Sequence, residues 1–268
     1  MENNNKISVV LPIKSSSPFA FEDFFSKCIE SVKYQKDNVE ELLIVYCNET
    51  SLTNHLNNFD FGDLKVRLLE WTKDPNFANQ VNFGISQCDT EWVSVLEFDD
   101  EYSNIWFKNA RKYMEIYKDV EIFLPIVVDV DEKAIFVGFT NEATFAANIS
   151  SEIGYLNHET LQNFQNFQFS GSVFKKEMFE RLGGLKSFIK LTFNYEFFLR
   201  TTHNSVKIMS IPRVGYKHMN LRTGSIFWNY KNGENKLTED EARFWIDTAK
   251  KEYLFNIDRE INYEPQEI

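Results

Sequence analysis

The sequence predicts an α/β fold in which a mostly parallel central sheet is flanked by helices. Three observations carry that expectation. Short apolar runs of strand length alternate with segments whose apolar residues recur at helical spacing. One run, Val93-Ser94-Val95-Leu96, ends abruptly in Glu97-Phe98-Asp99-Asp100-Glu101, and open α/β sheets place their ligand crevice outside such strand ends. The 268 residues, 43% of them hydrophobic, suffice for a full core. The chain reads as one domain over residues 1–230 with a C-terminal helical extension over 231–268.

Taken in order, Lys6-Ile7-Ser8-Val9-Val10-Leu11-Pro12-Ile13 forms a buried first strand, and Lys14-Ser15-Ser16-Ser17-Pro18 turns the chain. Phe21, Phe24, Phe25, Cys28, Ile29 and Val32 then recur at helical spacing, and Glu41–Tyr46 supplies a second strand, which completes a βαβ opening. A helix over Ser51–Phe59, a strand over Leu64–Glu70, a helix over Phe77–Gln87 and a strand over Trp92–Leu96 continue the alternation. After the acidic run come a helix over Ile105–Tyr117 and an extended strand over Val120–Val130, whereas Gly138–Phe167 is aromatic and carries no assignable period. Phe174–Arg181 is a short helix stopped by Gly183-Gly184, Asn194–His203 is another helix, and a strand over Val206–Ile211 ends at Pro212. Thr238-Glu239-Asp240-Glu241 is a capping box for a last helix bearing Phe244, Trp245 and Ala249.

Charge and cysteine content narrow the function. Twenty-nine lysines and arginines stand against 40 acids, a net charge of −11, which disfavours a nucleic-acid partner or an anionic membrane surface. No apolar run approaches the roughly 18 residues needed for a transmembrane segment. Cys28, Cys47 and Cys88 have no paired spacing, so a reduced, cytoplasmic setting is expected, and the sequons Asn48-Glu49-Thr50 and Asn148-Ile149-Ser150 are read as chance matches.

Crowding carboxylates at a strand end raises their pKa values unless a cation offsets the repulsion. A hard divalent ion, Mg²⁺ or Mn²⁺, bridging protein oxygens to a diphosphate would do so. The alternative is an acidic turn that ends a strand in water, and the carboxylates alone do not choose between them.

The order strand–Pro12, helix, strand, Asn82-Phe83-Gly84-Ile85, then Trp92–Leu96 running into Glu97-Phe98-Asp99-Asp100, resembles a glycosyltransferase family 2 domain of the GT-A fold over residues 6 to 228. The resemblance implies a sugar transfer from a nucleoside-diphosphate donor to a hydroxyl acceptor on a glycan, a lipid-linked carrier or a protein. It places Glu97 and Asp99 on the metal motif, with glutamate where the family carries aspartate. Tyr216-Lys217-His218-Met219-Asn220-Leu221-Arg222 resembles the family's late histidine segment, which implies His218 as a third metal ligand and Lys217 and Arg222 as diphosphate neighbours. Pro12, Asn48, Glu49, Asn82 and Phe98 are the implied donor contacts.

Asn194-Tyr195-Glu196-Phe197-Phe198-Leu199-Arg200 resembles the helix whose aspartate is the base in inverting members. Counting back from Arg200 puts Phe193 and Asn194 on the family's two acidic positions, and an amide takes no proton. Glu196 is the nearest carboxylate, and it is the candidate base only if the helix start is unwound or rotated. Two other readings stand beside the transferase: a catalytically inactive GT-A module that binds a nucleotide sugar or glycan, and a nucleotidyltransferase. The last lacks a Gly-rich, Arg-bearing loop after the first strand.

Overall fold

The computed structural model describes residues 6–15, 21–145 and 152–253. Ser16, Ser17 and Pro18 of the expected first turn, the sequon at Asn148 and the extension beyond Tyr253 lie outside them. The chain opens with β1 (Ile7–Ile13), α1 (Phe21–Lys33), β2 (Val39–Cys47), α2 (Thr50–Asn58), β3 (Val66–Trp71), α3 (Phe77–Ser86) and β4 (Trp92–Val95). It continues through β5 (Glu101–Tyr102), α4 (Trp106–Ile116), β6 (Val120–Val130), β7 (Phe136–Thr140), β8 (Tyr155–Leu156), α5 (His158–Asn163) and β9 (Val173–Lys175). It closes with α6 (Lys176–Arg181), α7 (Phe193–His203), β10 (Lys207–Met219), α8 (Ile226–Asn232) and α9 (Glu239–Glu252).

The strands make one sheet in the order β3-β2-β1-β4-β9-β6-β10-β5, with β7 on β6 and β8 on β10. β1 pairs in parallel with both β2 and β4, and β6 pairs in parallel with β10. The short β9 runs antiparallel between β4 and β6, so all four long central strands deliver their carboxyl ends to one edge. This is the mixed α/β, mostly parallel single domain that the alternating pattern predicts.

The pleat divides the core in two. Val9 and Leu11 of β1 face one apolar layer with Phe25, Ile29, Trp106 and Phe107 from α1 and α4, while Val10 faces the other with Val81, Phe197 and Phe198 from α3 and α7. Gly84 permits that second layer to close: a Cβ there would lie 2.4 Å from Val10 Cγ1. Ala249 of α9 and Tyr253 are buried in the same layer, which ties the C-terminal helix to the core, and the Thr238–Glu241 capping box is present.

The main departure is β10. The expected strand ended at Pro212, yet it runs to Met219, with register shifts against β6 between Ser210 and Val214 and again before Tyr216. Proline offers no N–H to the ladder, so the strand passes it as an irregularity and resumes pairing. That continuation carries His218 to the sheet edge. β9 and α8 have no counterpart in the sequence-based expectation, because three and seven residues hold too little periodicity to detect.

Candidate active site

A cleft of about 1370 Å³ opens at the carboxyl ends of the parallel strands. Pro12 from β1, Phe98 and Asp99 after β4, Asp129 from β6 and His218 from β10 form its floor. The start of α7, through Phe193, Asn194 and Tyr195, and the segment from α8 to the first turn of α9 form its walls.

The floor is organised by a tight turn. The Asp100 N–H donates to the Glu97 carbonyl at 3.1 Å, which turns Glu97 and Asp100, three residues apart, toward His218. Ligand atoms of these three side chains lie within 4.8 Å of one another. Asp100 is buried and accepts from the Met219 N–H at 2.8 Å, while its other oxygen lies 3.0 Å from His218 Nδ1. Glu97 Oε1 accepts the Ser170 hydroxyl at 2.7 Å, and its N–H donates to the Tyr216 hydroxyl at 3.1 Å. Tyr216 stays in place because Gly171, at φ +84°, leaves room: a Cβ there would lie 2.5 Å from the ring.

The electrostatics are crowded. Removal from water pushes the Glu97 carboxyl up to about 7, with repulsion from Asp100 and Asp99 adding to it and His218 opposing it. The Asp99 carboxyl is raised by the same desolvation and by Asp100, against the pull of Arg222. Burial alone would lower the His218 imidazole, yet attraction and hydrogen bonding to Asp100, with Glu97 and Asp129 beyond, raise it to about 10. Four carboxylates thus face His218 and Arg222, and a divalent cation would balance the difference. The donor set fits one. The carboxylate oxygens suit Mn²⁺ or Mg²⁺, and a bound ion would replace the proton that His218 Nδ1 shares with Asp100.

A family model described as Glycosyl transferase family 2 matches residues 8–183, about two thirds of the chain. This protein belongs to that family. Solved structures with the same fold include S. aureus TarS residues 1–349, at 13% identity and a TM-score of 0.60, covering 93% of this chain and 70% of that one. The same protein in complex with UDP-GlcNAc aligns with a TM-score of 0.64 at 14% identity, over 93% of this chain and 71% of that one. Its complex with UDP gives 0.59 at 12% identity, over 92% and 71%. No curated protein sequence matches the chain.

Within this glycosyl transferase family 2 domain, Glu97, Asp99, Phe98, Pro12, Asn194, His218 and Arg222 do line the cleft. Asp99 departs from its expected partnership. The turn points it away from the cluster to an ion pair with Arg222, whose guanidinium also lies 4.8 Å from the Phe98 ring centre, and Asp100 takes its place beside Glu97 and His218. Neighbouring residues of a strand face opposite sides, so Lys217 turns from the cleft while His218 enters it, and Lys217 pairs with Glu101 at 2.6 Å.

Asn82 does not line the cleft: its amide clamps the Leu185 backbone, accepting from N–H at 2.9 Å and donating to C=O at 2.8 Å. Asn48 donates to Glu70 at 2.7 Å and Glu49 stands at the N-cap position of α2, and neither lines the cleft. Glu196, the candidate base, does not line the cleft. Its side chain is fully buried behind α7, held by Arg200 at 2.9 and 3.0 Å, Lys186 at 2.9 Å and the Tyr253 hydroxyl at 2.8 Å. A carboxylate so enclosed ties α7 to Lys186 and Tyr253. Asn194 alone of that pair reaches the cleft, and its Oδ1 is buried with no hydrogen-bond partner among the described residues.

Sequence reasoning missed Asp129, buried at the end of β6, where Thr140 of β7 donates to it at 2.6 Å. The available signal was an acid inside the otherwise apolar run Ile126-Val127-Val128-Asp129-Val130.

Proposed function

We propose that this chain transfers a sugar from a nucleoside-diphosphate donor to a hydroxyl acceptor, with inversion at the anomeric carbon and with Mn²⁺ or Mg²⁺ held by Glu97, Asp100 and His218. The observation that carries the reading is the meeting of those three side chains in a family 2 domain, with Glu97 and His218 lining the cleft and Asp100 buried beside them. Bound there, the cation would supply positive charge to the departing diphosphate. Arg222 adds fixed charge at the same floor, and Ser170 and Tyr216 hold Glu97 in place. The shared fold with a TarS structure holding UDP-GlcNAc favours a uridine diphosphate sugar.

The acceptor's proton goes to a group other than Glu196 or Asn194. The carboxylates lining the cleft outside the cluster and its Arg222 pair are Asp74, Asp129 and Glu239. We assign the transferase unit to residues 1–230 and read 231–268 as an extension, of which Asn235 to Glu239 line the cleft. No helix among the described residues is long and apolar enough to cross a membrane. We place the reaction in the cytoplasm, a setting that the three free thiols favour. Purified protein with Mn²⁺ and a panel of nucleotide sugars should release nucleoside diphosphate faster when acceptor glycans are added. Absence of release and transfer across the panel would reject the enzyme.

One observation favours a second reading, a module that binds the donor without turning it over: an amide stands at the start of α7, and its neighbouring carboxylate is locked away. Asn194→Asp separates the two. Transfer that appears only in this variant assigns the natural chain to the binding module, and transfer by the wild type excludes it.

A further inference from the structure

The hairpin of β6 and β7 borders the cleft through Asp129 and Thr140, and beyond them its side chains are apolar where water should meet polar ones. Ile135, Phe136, Val137 and Phe139 are 59%, 56%, 55% and 44% exposed. Asp131 shapes the turn by accepting the N–H groups of Lys133 and Ile135 at 2.9 Å each, and Glu132 accepts from the Thr223 N–H. Asp131 is thereby half-buried, while Glu132 and Lys133 stay exposed at the turn with opposite charges, so charge is confined to the tip and the flanking residues are apolar.

The register identifies the shape. Asp129 pairs with Gly138 and Val130 with Phe136, so Val137 is an extra residue, a bulge. The bulge puts Phe136 and Phe139 on one face, with ring centres 5.0 Å apart, while Val137 is displaced from it. A bulged, twisted edge resists strand-to-strand pairing with another sheet. Four exposed apolar residues are far fewer than the roughly 20–30 per partner that a stable interface takes. A flat protein face would cover one side of the strand only, whereas immersion in a lipid interface covers both.

We propose that this hairpin is a lipid-docking flange that seats the cleft on an electroneutral membrane surface. The inference rests on the transferase reading and sharpens it, since the acceptor then is a lipid-linked hydroxyl compound presented at that surface. The flange and the cleft share one strand: Thr140 at the end of β7 lines the cleft and holds Asp129, so an acceptor headgroup leaving the bilayer beside Phe139 enters next to the metal cluster. The net charge of −11 fits a zwitterionic rather than an anionic interface.

The test is co-sedimentation of the full chain with phosphatidylcholine vesicles, without donor. Wild type should bind; Phe136→Asp combined with Phe139→Asp should weaken binding at least tenfold with an unchanged thermal midpoint; and Ile135→Trp should tighten it. Partial replacement by phosphatidylserine should weaken binding. Wild type that stays in the supernatant, a double variant that binds equally, binding that strengthens with phosphatidylserine, or a dimer that the double variant dissolves would each overturn the flange. Because binding is read without donor, loss of vesicle binding beside intact sugar transfer rejects the flange alone. Vesicle binding without any transfer rejects the enzyme alone.

Discussion

Replacing Glu196 by Gln should cost stability and spare turnover. The carboxylate is fully buried and takes two hydrogen bonds from Arg200, whose side chain is only 9% exposed, together with Lys186 and the Tyr253 hydroxyl. Arg200 also donates to the carbonyls of Leu182 and Gly184, so the guanidinium cannot leave when its counter-charge goes. Breaking one side of a buried ion pair costs about 3–5 kcal/mol, and Gln keeps the volume and one acceptor, which sets the expectation near 3 kcal/mol. Lys186, with 24% of its side chain in solvent, is screened and adds little. At about 2–4 °C per kcal/mol for a chain of this size, the thermal midpoint should fall by about 6–12 °C. The assay is differential scanning fluorimetry beside nucleotide release at 20 °C, where kcat should stay within about twofold. An unchanged midpoint with kcat lowered by about 100-fold, the loss expected for a general base, would refute the reasoning.

Four further substitutions probe other parts of the molecule. Asp100→Asn should abolish Mn²⁺-dependent donor binding in calorimetry, whereas Asp99→Asn should weaken donor affinity yet keep the dependence on the ion; equal losses of ion dependence would contradict the assignment of Asp100. Gly171→Ala should lower stability by about 3 kcal/mol or more in urea titration, since it combines a positive φ with a Cβ 2.5 Å from Tyr216, and a neutral result would show that the loop can relax. Burial holds the His158 imidazole below its usual value, with His203 adding to it and the Tyr253 carbonyl opposing. The unfolded chain therefore binds the proton first, and stability falls as pH drops from about 6.5 through the lowered folded value. His158→Gln should flatten that acid limb of the urea midpoint against pH, and an unaltered slope would contradict it.

The alternation of apolar runs was enough to place β1, α1, β2, α3 and β6, because each buries a face whose period is local. The capping box at Thr238 was equally plain, being four consecutive residues. What escaped the sequence depends on distant partners. Pro212 reads as a stop, yet pairing with β6 on both sides carries β10 past it to His218. Asp99 and Asp100 are adjacent carboxylates, and only the hydrogen bond that closes the Glu97 turn decides which one joins the cluster. Glu196 looks like a base by its position near Arg200, while Lys186 and Tyr253, which lock it, come from elsewhere in the chain. Asn82 sits in a family motif and still serves packing, since its partner Leu185 lies 103 residues away.

The account turns on a cation held against the donor's diphosphate, and crystals grown with Mn²⁺ and a saturating uridine diphosphate sugar test it most directly. The prediction is an anomalous manganese peak within ligand distance of Glu97, Asp100 and His218 and in contact with the diphosphate. A bound donor with no peak at those side chains would contradict it.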